Sequence, residues 1–152
     1  MYLAIILSLM IAFPVVSILA EASSGTSDIA FLVGKWFVFW AVGIRLLTAG
    51  VRQVMTPSFT AVSIFRITDP SAEKLVTEIG FGNLTIGLIA ALSLIFPDWL
   101  VPAGLTGALY LALACIKHVV NKDRSLKENV AMISDLGAAV IIAISLSAWL
   151  LR

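Results

Sequence analysis

The stretch Tyr2–Ala20 reads YLAIILSLMIAFPVVSILA and contains no charged residue. A helix that crosses a bilayer needs about 20 mostly apolar residues, so this stretch predicts a membrane span. The following Ala20-Glu21-Ala22 resembles the site where a signal peptide is cleaved, but the stretch lacks the positively charged start of such peptides. We therefore expect a retained first span.

Four further segments have the length and apolar content of a span. The sequence thus predicts an all-α, polytopic transmembrane helix bundle of about five spans, forming a single integral membrane domain over residues 1–152. The predicted spans cover residues 2–20, 29–55, 76–96, 100–119 and 130–151.

Composition supports a membrane location and excludes other classes. Hydrophobic residues make up 61% of the chain and charged residues 12%, about half the charged share of soluble domains. The net charge of +1 leaves no basic surface for nucleic acid. The single cysteine, Cys115, excludes an internal disulfide and a cysteine-cluster metal site, and we interpret it as a packing residue.

Polar residues mark the expected helix ends. A polar link with capping residues lies just before span two and consists of Ser24, Gly25, Thr26, Ser27 and Asp28. Asp69 is predicted to be an N-cap with Pro70 at the first helical position, and Ser125–Glu128 is predicted to be a capping box before span five. The capping box gives Glu128 a structural role.

Basic residues are unevenly distributed between the two sides of the predicted bundle. Lys35 and Arg152 lie on one side, beside Glu21, Asp28 and Asp98. The other side holds the larger basic group of Arg52, Arg66, Lys74, Lys117, Lys122, Arg124 and Lys127. By the positive-inside rule, the amino terminus is expected in the cytoplasm and the carboxyl terminus across the plasma membrane.

The link between spans two and three has its own pattern. Residues 57–66 place Phe59, Val62, Ile64 and Phe65 among small polar residues, which predicts a short amphipathic helix on the membrane interface. An interfacial anchor is the favoured interpretation, and a lid over the bundle is the alternative.

Ionisable and amide side chains gather in the half of the bilayer next to the basic side. Arg45 lies roughly 10 Å deeper than Arg52, and Arg45 is expected to pair with Glu78 or Asp135, or else to contact an anionic ligand. Polar groups inside a span are costly and therefore indicate a site by default. The candidate ligand-binding residues are Arg45, Gln53, Glu78, Asn83, His118, Asn129 and Asp135.

No metal or cofactor is predicted. The chain has one histidine, His118, and no phosphate-binding glycine loop or zinc-binding histidine pair. The glycines in the later spans are interpreted as packing faces; they are Gly80, Gly82, Gly87, Gly104 and Gly107.

Several of these segments together resemble an uncharacterised bacterial family of small multi-pass membrane proteins, a domain of unknown function. The matching segments in spans two and three are Lys35–Leu47, Ala49-Gly50, Arg52-Gln53, Pro57–Ala61, Ile64-Phe65, Glu78–Leu84 and Gly87. Those in spans four and five are His118, Glu128-Asn129 and Ser134–Leu136. The family implies no activity. A more distant similarity in architecture is to DoxX-like membrane proteins.

Three functions remain open at this level. The favoured one is a protein that binds a small or lipid-like ligand in a polar cavity on the cytoplasmic side, or that serves as an accessory subunit of a larger membrane complex. The alternatives are an enzyme acting on a hydrophobic substrate, with Glu78 and Asp135 as acid and base, His118 assisting and Arg45 stabilising charge, and a small transporter or channel formed by a homo-oligomer. The expected partners are membrane lipids, and no nucleic acid.

Overall fold

The computed structural model describes residues 2–25 and 28–151, and these form six helices. Five of the helices are long and apolar enough to cross a membrane. We number them α1 Leu3–Ser23, α2 Ile29–Met55, α3 Pro57–Ser63, α4 Ala72–Leu92, α5 Pro97–Val120 and α6 Leu126–Leu150. The predicted all-α bundle with a short helix between spans two and three is confirmed.

The helix bounds differ from the predicted spans where a helix begins with polar residues. Helix α4 begins at Ala72 and α6 at Leu126, each about one turn before the predicted span. The first turns carry Glu73 and Glu128, which an apolar window excludes although they are good helix formers. Thr26 and Ser27 of the predicted link, and Arg152, lie outside the described residues.

Two of the three predicted caps are confirmed. The carboxylate of Asp28 accepts the Phe31 N–H at 3.1 Å, and Ser125 Oγ accepts the Glu128 N–H at 3.0 Å. The Asp69 prediction is wrong in register. Its carboxylate accepts the Ser71 N–H at 2.8 Å in a turn that precedes the helix, and Ser71 holds the cap position.

Glycines bring α2 and α4 together. A Cβ built on Gly50 would lie 2.8 Å from the Gly80 carbonyl oxygen, and one on Gly87 would lie 2.7 Å from the Leu47 nitrogen. The two backbones are therefore in direct contact, as small residues allow between membrane helices. The packing interpretation fails for Gly82, where a Cβ would meet nothing within 4 Å.

The other long helices pack around α2. A Cβ on Gly107 of α5 would lie 2.5 Å from Val42, and one on Gly104 would lie 2.5 Å from Leu146 of α6. Helix α1 lies on the other side of α2, where the rings of Phe13 and Trp40 are 4.8 Å apart. Long helices that follow one another in the chain run antiparallel, so the ends of α2 and α5 lie beside the starts of α1, α4 and α6.

A candidate ligand cavity at the basic end

A cavity of about 500 Å³ lies at the end of the bundle that carries Arg52, Lys74, Lys117 and Lys127. We call this end the basic end and the cavity the basic-end cavity. All six helices contribute to its walls, and its volume is in the range of ligand pockets. Apolar lining residues from the six helices in turn are Ile5, Leu46, Phe59, Ile79, Leu113 and Ala131.

A change of helical pitch positions Arg45 in this cavity. Helix α2 widens to a π-helical turn over Val38–Ile44, and the Arg45 N–H donates to the Trp40 carbonyl five residues earlier. Such a turn inserts one residue into the helix and redirects the side chains that follow it, and π-turns are frequent at functional sites. Arg45 emerges from the turn buried against α6.

Arg45 forms a buried ion pair with Asp135. Its Nη2 donates to the Asp135 carboxylate and to Ser134 Oγ, the latter at 3.2 Å. The exposed fractions are 8% for Arg45 and 5% for Asp135. Of the two partners that the sequence offered to Arg45, Asp135 is therefore the one it contacts.

A second polar group adjoins the ion pair. Asn83 Nδ2 donates to Gln53 Oε1 at 2.6 Å, which links α4 to α2. Tyr110 on α5 lines the same cavity as Asn83, Arg45 and Asp135. Sequence reasoning missed Tyr110, although a tyrosine in the middle of an apolar span is a signal, because its hydroxyl needs a partner there.

Two polar atoms of this group are left without a hydrogen bond. Among the buried side-chain atoms of the described residues, Arg45 Nη1 and Asn83 Oδ1 have no partner. Both residues line the cavity, and Asn83 is only 4% exposed. More than nine-tenths of buried polar groups in proteins are satisfied, so the two orphan atoms single out Arg45 and Asn83 among the lining residues, as a donor and an acceptor that the protein leaves unused.

His118 lines the same cavity but faces a different partner. Its Nδ1 lies 3.0 Å from Glu128 Oε1, and Asn121 Nδ2 donates to both oxygens of that carboxylate. The sequence predicted only a capping role for Glu128. The Glu128 N–H does make the cap with Ser125, while its carboxylate binds α5, a tertiary contact that local spacing does not reveal.

Two of the seven candidate residues do not join the cavity. Glu78 is exposed and is not part of the lining. Asn129 is also outside it, and its Oδ1 accepts the Nε–H of Arg124 at 2.8 Å. Arg124 in turn donates to the carbonyls that end α5, including those of His118 and Asn121. The residues that the structure brings together are Arg45, Gln53, Asn83, His118 and Asp135.

Helix α3 covers the cavity at the basic end. Phe59 and Phe65 line it, and the Arg52 guanidinium lies 3.6 Å from the centre of the Phe59 ring. Ser125 Oγ donates to the Ile64 carbonyl at 3.1 Å, which ties the segment after α3 to the start of α6. Of the apolar residues in the predicted amphipathic stretch, Phe59, Ile64 and Phe65 line the cavity, whereas Val62 is exposed.

Within the described part of the chain, no group of three histidine, cysteine or carboxylate side chains is placed to hold a metal ion.

The fold and cavity define a small α-helical protein of the multi-pass membrane class, with a buried polar group in one half of the bundle. The chain belongs to DUF6790, a family of unknown function whose model matches residues 1–151. The resemblance to a family of unknown function is therefore confirmed. No match is found among curated proteins or among solved structures, so the distant similarity to DoxX-like proteins has no support.

Proposed function

We propose that this protein binds a small lipid-like molecule in the basic-end cavity. The observation that carries the proposal is the combination of mainly apolar walls with the two unpartnered buried atoms, Arg45 Nη1 and Asn83 Oδ1. An apolar pocket with a few convergent polar groups is the usual form of a small-molecule site. An amphipathic molecule matches both parts of it.

Access from the bilayer supports a lipid-like rather than a water-soluble ligand. Ile79 of α4 and Leu113 of α5 line the cavity and are 39% and 65% exposed. On a membrane-spanning helix, such apolar side chains face lipid tails. A molecule dissolved in the bilayer therefore reaches the cavity past apolar side chains only.

The packing at the opposite end favours binding over conduction. There, Gly104 and Gly107 let α5 contact Val38, Val42 and Leu146 directly. A path through a single chain would need polar groups or a gap at this level.

We further propose that the basic end faces the cytoplasm, because Arg52, Lys74, Lys117 and Lys127 lie there. This orientation is tested by fusing, after residue 152, a phosphatase that is active only outside the cytoplasm.

The test of binding is a cavity-filling substitution with a matched control. Ala114 lines the cavity, whereas Ala143 on α6 is exposed and is not part of the lining. Ala114→Phe and Ala143→Phe add the same side-chain volume at the two places. Each protein is purified in its own membrane lipids, extracted with organic solvent and compared by mass spectrometry.

We expect a molecule enriched over the bulk lipid in the wild type and in Ala143→Phe, and lost in Ala114→Phe. Equal lipid profiles in all three proteins, with Ala114→Phe folded, would overturn the proposal. Circular dichroism and size-exclusion chromatography establish folding before the extracts are compared.

An enzyme is the second candidate, and the pairing of His118 with Glu128 favours it. A carboxylate that holds one imidazole nitrogen leaves the other free to exchange protons with a molecule in the cavity. His118→Gln tests the enzyme, because it should abolish turnover if chemistry occurs. The proton-transferring group of this version is His118, held by Glu128, since Glu78 lies outside the cavity and Asp135 is engaged by Arg45.

A further inference from the structure

We infer that the basic-end cavity selects a neutral head group that both donates and accepts a hydrogen bond, such as the hydroxyl of a long-chain or polycyclic alcohol, over a carboxylate. The inference rests on the proposed function, because it concerns the ligand of the same cavity. Its basis is the kind of atom left unpartnered. Arg45 Nη1 is a donor and Asn83 Oδ1 is an acceptor.

The two unpartnered atoms belong to one polar patch. Arg45, Asn83 and Tyr110 all line the cavity. A hydroxyl oxygen accepts from Arg45 Nη1 while its hydrogen is donated to Asn83 Oδ1. An ether or ketone satisfies only the arginine, and an ionised carboxylate likewise offers no proton to the asparagine oxygen.

The charge at the patch also disfavours an anion. Asp135 already neutralises Arg45, so the pair presents no net charge to the cavity. A carboxylate placed there would lose its hydration and lie beside the Asp135 carboxylate with no cation left to balance it. A neutral hydroxyl avoids both penalties.

Two other cations line the cavity nearer its mouth and offer a competing arrangement. Lys117 is exposed, and Arg52 stacks on Phe59. A fatty acid could place its carboxylate beside them and its tail inside. Its terminal methyl would then approach the inner patch and leave Arg45 Nη1 and Asn83 Oδ1 unsatisfied, which is costly in a dry site.

The cavity volume sets the size of suitable probes. At the roughly 30 Å³ that a water molecule occupies in the liquid, 500 Å³ accommodates about 17 non-hydrogen atoms. Tetradecanol, its methyl ether and tetradecanoate are close to this size and share one tail. They differ in whether the head group donates, accepts or carries charge.

The experiment is competitive photo-crosslinking to the full chain in phosphatidylcholine nanodiscs. A tetradecanol that carries a diazirine in its tail labels the protein, and the three unlabelled probes compete at about pH 9, where the acid is ionised. We expect tetradecanol to compete at least about tenfold more strongly than the ether or tetradecanoate, because only the alcohol donates a hydrogen bond to the buried Asn83 Oδ1.

A charge-neutralising substitution should reverse this preference. Asp135→Asn keeps the side-chain shape and leaves the positive charge of Arg45 unbalanced, so tetradecanoate should gain about tenfold over tetradecanol. Glu21→Gln is the matched control. It makes the same chemical change in the ion pair with Lys35, which is not part of the cavity lining, and should leave the ranking unchanged.

The outcomes separate this inference from the proposed function. If tetradecanoate competes as well as tetradecanol in the wild type, the inference is wrong. The proposed binding function would still hold in that case, provided that Ala114→Phe abolishes labelling. If labelling is the same in Ala114→Phe and the wild type, the proposed function fails and the inference fails with it. Should Asp135→Asn not fold, the ranking of the three probes on the wild type decides.

Discussion

The Glu21–Lys35 and Arg45–Asp135 ion pairs join helices at opposite ends of the bundle, and the two pairs are built differently. At the far end, which we define by Glu21 and Lys35, the Lys35 Nζ donates to both Glu21 oxygens at 2.7 and 2.8 Å, and the Trp36 Nε1–H donates to one of them at 2.8 Å. Both side chains are 23% exposed. At the basic end, the Arg45–Asp135 pair is buried and leaves Arg45 Nη1 without a partner.

Under the proposed function, the far-end pair has a structural role and the basic-end pair belongs to the ligand site. The far-end pair lies near the membrane surface, where it joins α1 to α2 at little desolvation cost. The basic-end pair loses its hydration without satisfying all of its donors, and buried ion pairs are often no more stable than apolar residues of the same volume. Its presence beside a cavity is therefore better explained by a ligand than by stability.

The largest change in stability is expected from loss of the Asp135 carboxylate. Asp135→Ala leaves the guanidinium of Arg45 buried and unpaired, which should lower the free energy of unfolding by about 3 kcal/mol. Thermal unfolding in dodecylmaltoside micelles measures the change.

A double substitution identifies the cause. Arg45→Met combined with Asp135→Leu removes both charges and keeps an apolar volume, so it should recover most of the lost stability while the cavity loses its polar patch. If the double variant is as unstable as Asp135→Ala, the pair contributes to stability in its own right and the contrast between the two ends disappears.

The second prediction concerns the glycine contact that brings α2 and α4 together. Gly87→Ala places a methyl group 2.7 Å from the Leu47 backbone nitrogen, which the neighbouring helix relieves only by moving away. We expect a loss of about 1–3 kcal/mol. Gly82→Ala on the same helix meets open space and should gain about 0.5–1 kcal/mol through helix propensity.

Thermal unfolding of the two variants, measured side by side, gives the result. A Gly82→Ala variant as destabilised as Gly87→Ala would mean that both glycines pack against a neighbour. The polar cluster that includes Asn83 would then be arranged differently from the structure, because Asn83 follows Gly82 directly in α4.

Hydropathy was enough to predict the number and approximate bounds of the spans, because the bilayer sets the length of an apolar helix. The depth of the polar residues then indicated which of them share a level. Depth alone does not give the rotation of a helix about its axis. Asn83 lies five residues after Glu78 on α4, which rotates the two side chains about 140° apart, so that one faces the cavity and the other is exposed.

The partners of the polar residues were harder to predict for the same reason. Arg45 faces Asp135 because a π-turn precedes it, and the hydrophobic pattern of residues 38–44 does not indicate that turn. The pairing of His118 with Glu128 joins the end of α5 to the start of α6. Whether the two side chains meet depends on the conformation of the link between these helices. Such contacts depend on tertiary packing, and the pattern of a single sequence does not reveal which side chains meet.

A smaller effect is expected at the far-end ion pair. Glu21→Gln retains an acceptor for Trp36 and removes the charge opposite Lys35, in a partly hydrated site. The loss of stability should be no more than about 1 kcal/mol. The same melting assay at low and high salt tests this, since screening should shrink the difference. A loss as large as that of Asp135→Ala would show that exposure does not distinguish the two pairs.

The smallest changes in stability are expected in two links between helices, one at each end of the bundle. After α1, the far-end link places Gly25 at φ 104°, in the left-handed region where glycine is unstrained. After α3, the basic-end link places Arg66 at φ 59°, and the Ile67 N–H reaches back to the Ala61 carbonyl at 2.9 Å, as in a glycine-capped helix end. Arginine therefore occupies a position that glycine would adopt at lower cost.

Arg66→Gly should raise the free energy of unfolding by up to about 1 kcal/mol, and Gly25→Ala should lower it by about the same amount. Arg66→Ala is the control, because it removes the charge and keeps the backbone strain, so its melting temperature should stay near that of the wild type. If Arg66→Ala is stabilised as much as Arg66→Gly, charge rather than conformation limits this link. A stabilised Arg66→Gly that also labels more slowly with the photoactivatable alcohol would indicate that mobility of the α3 segment over the cavity serves ligand access, a requirement that the closed far end does not share.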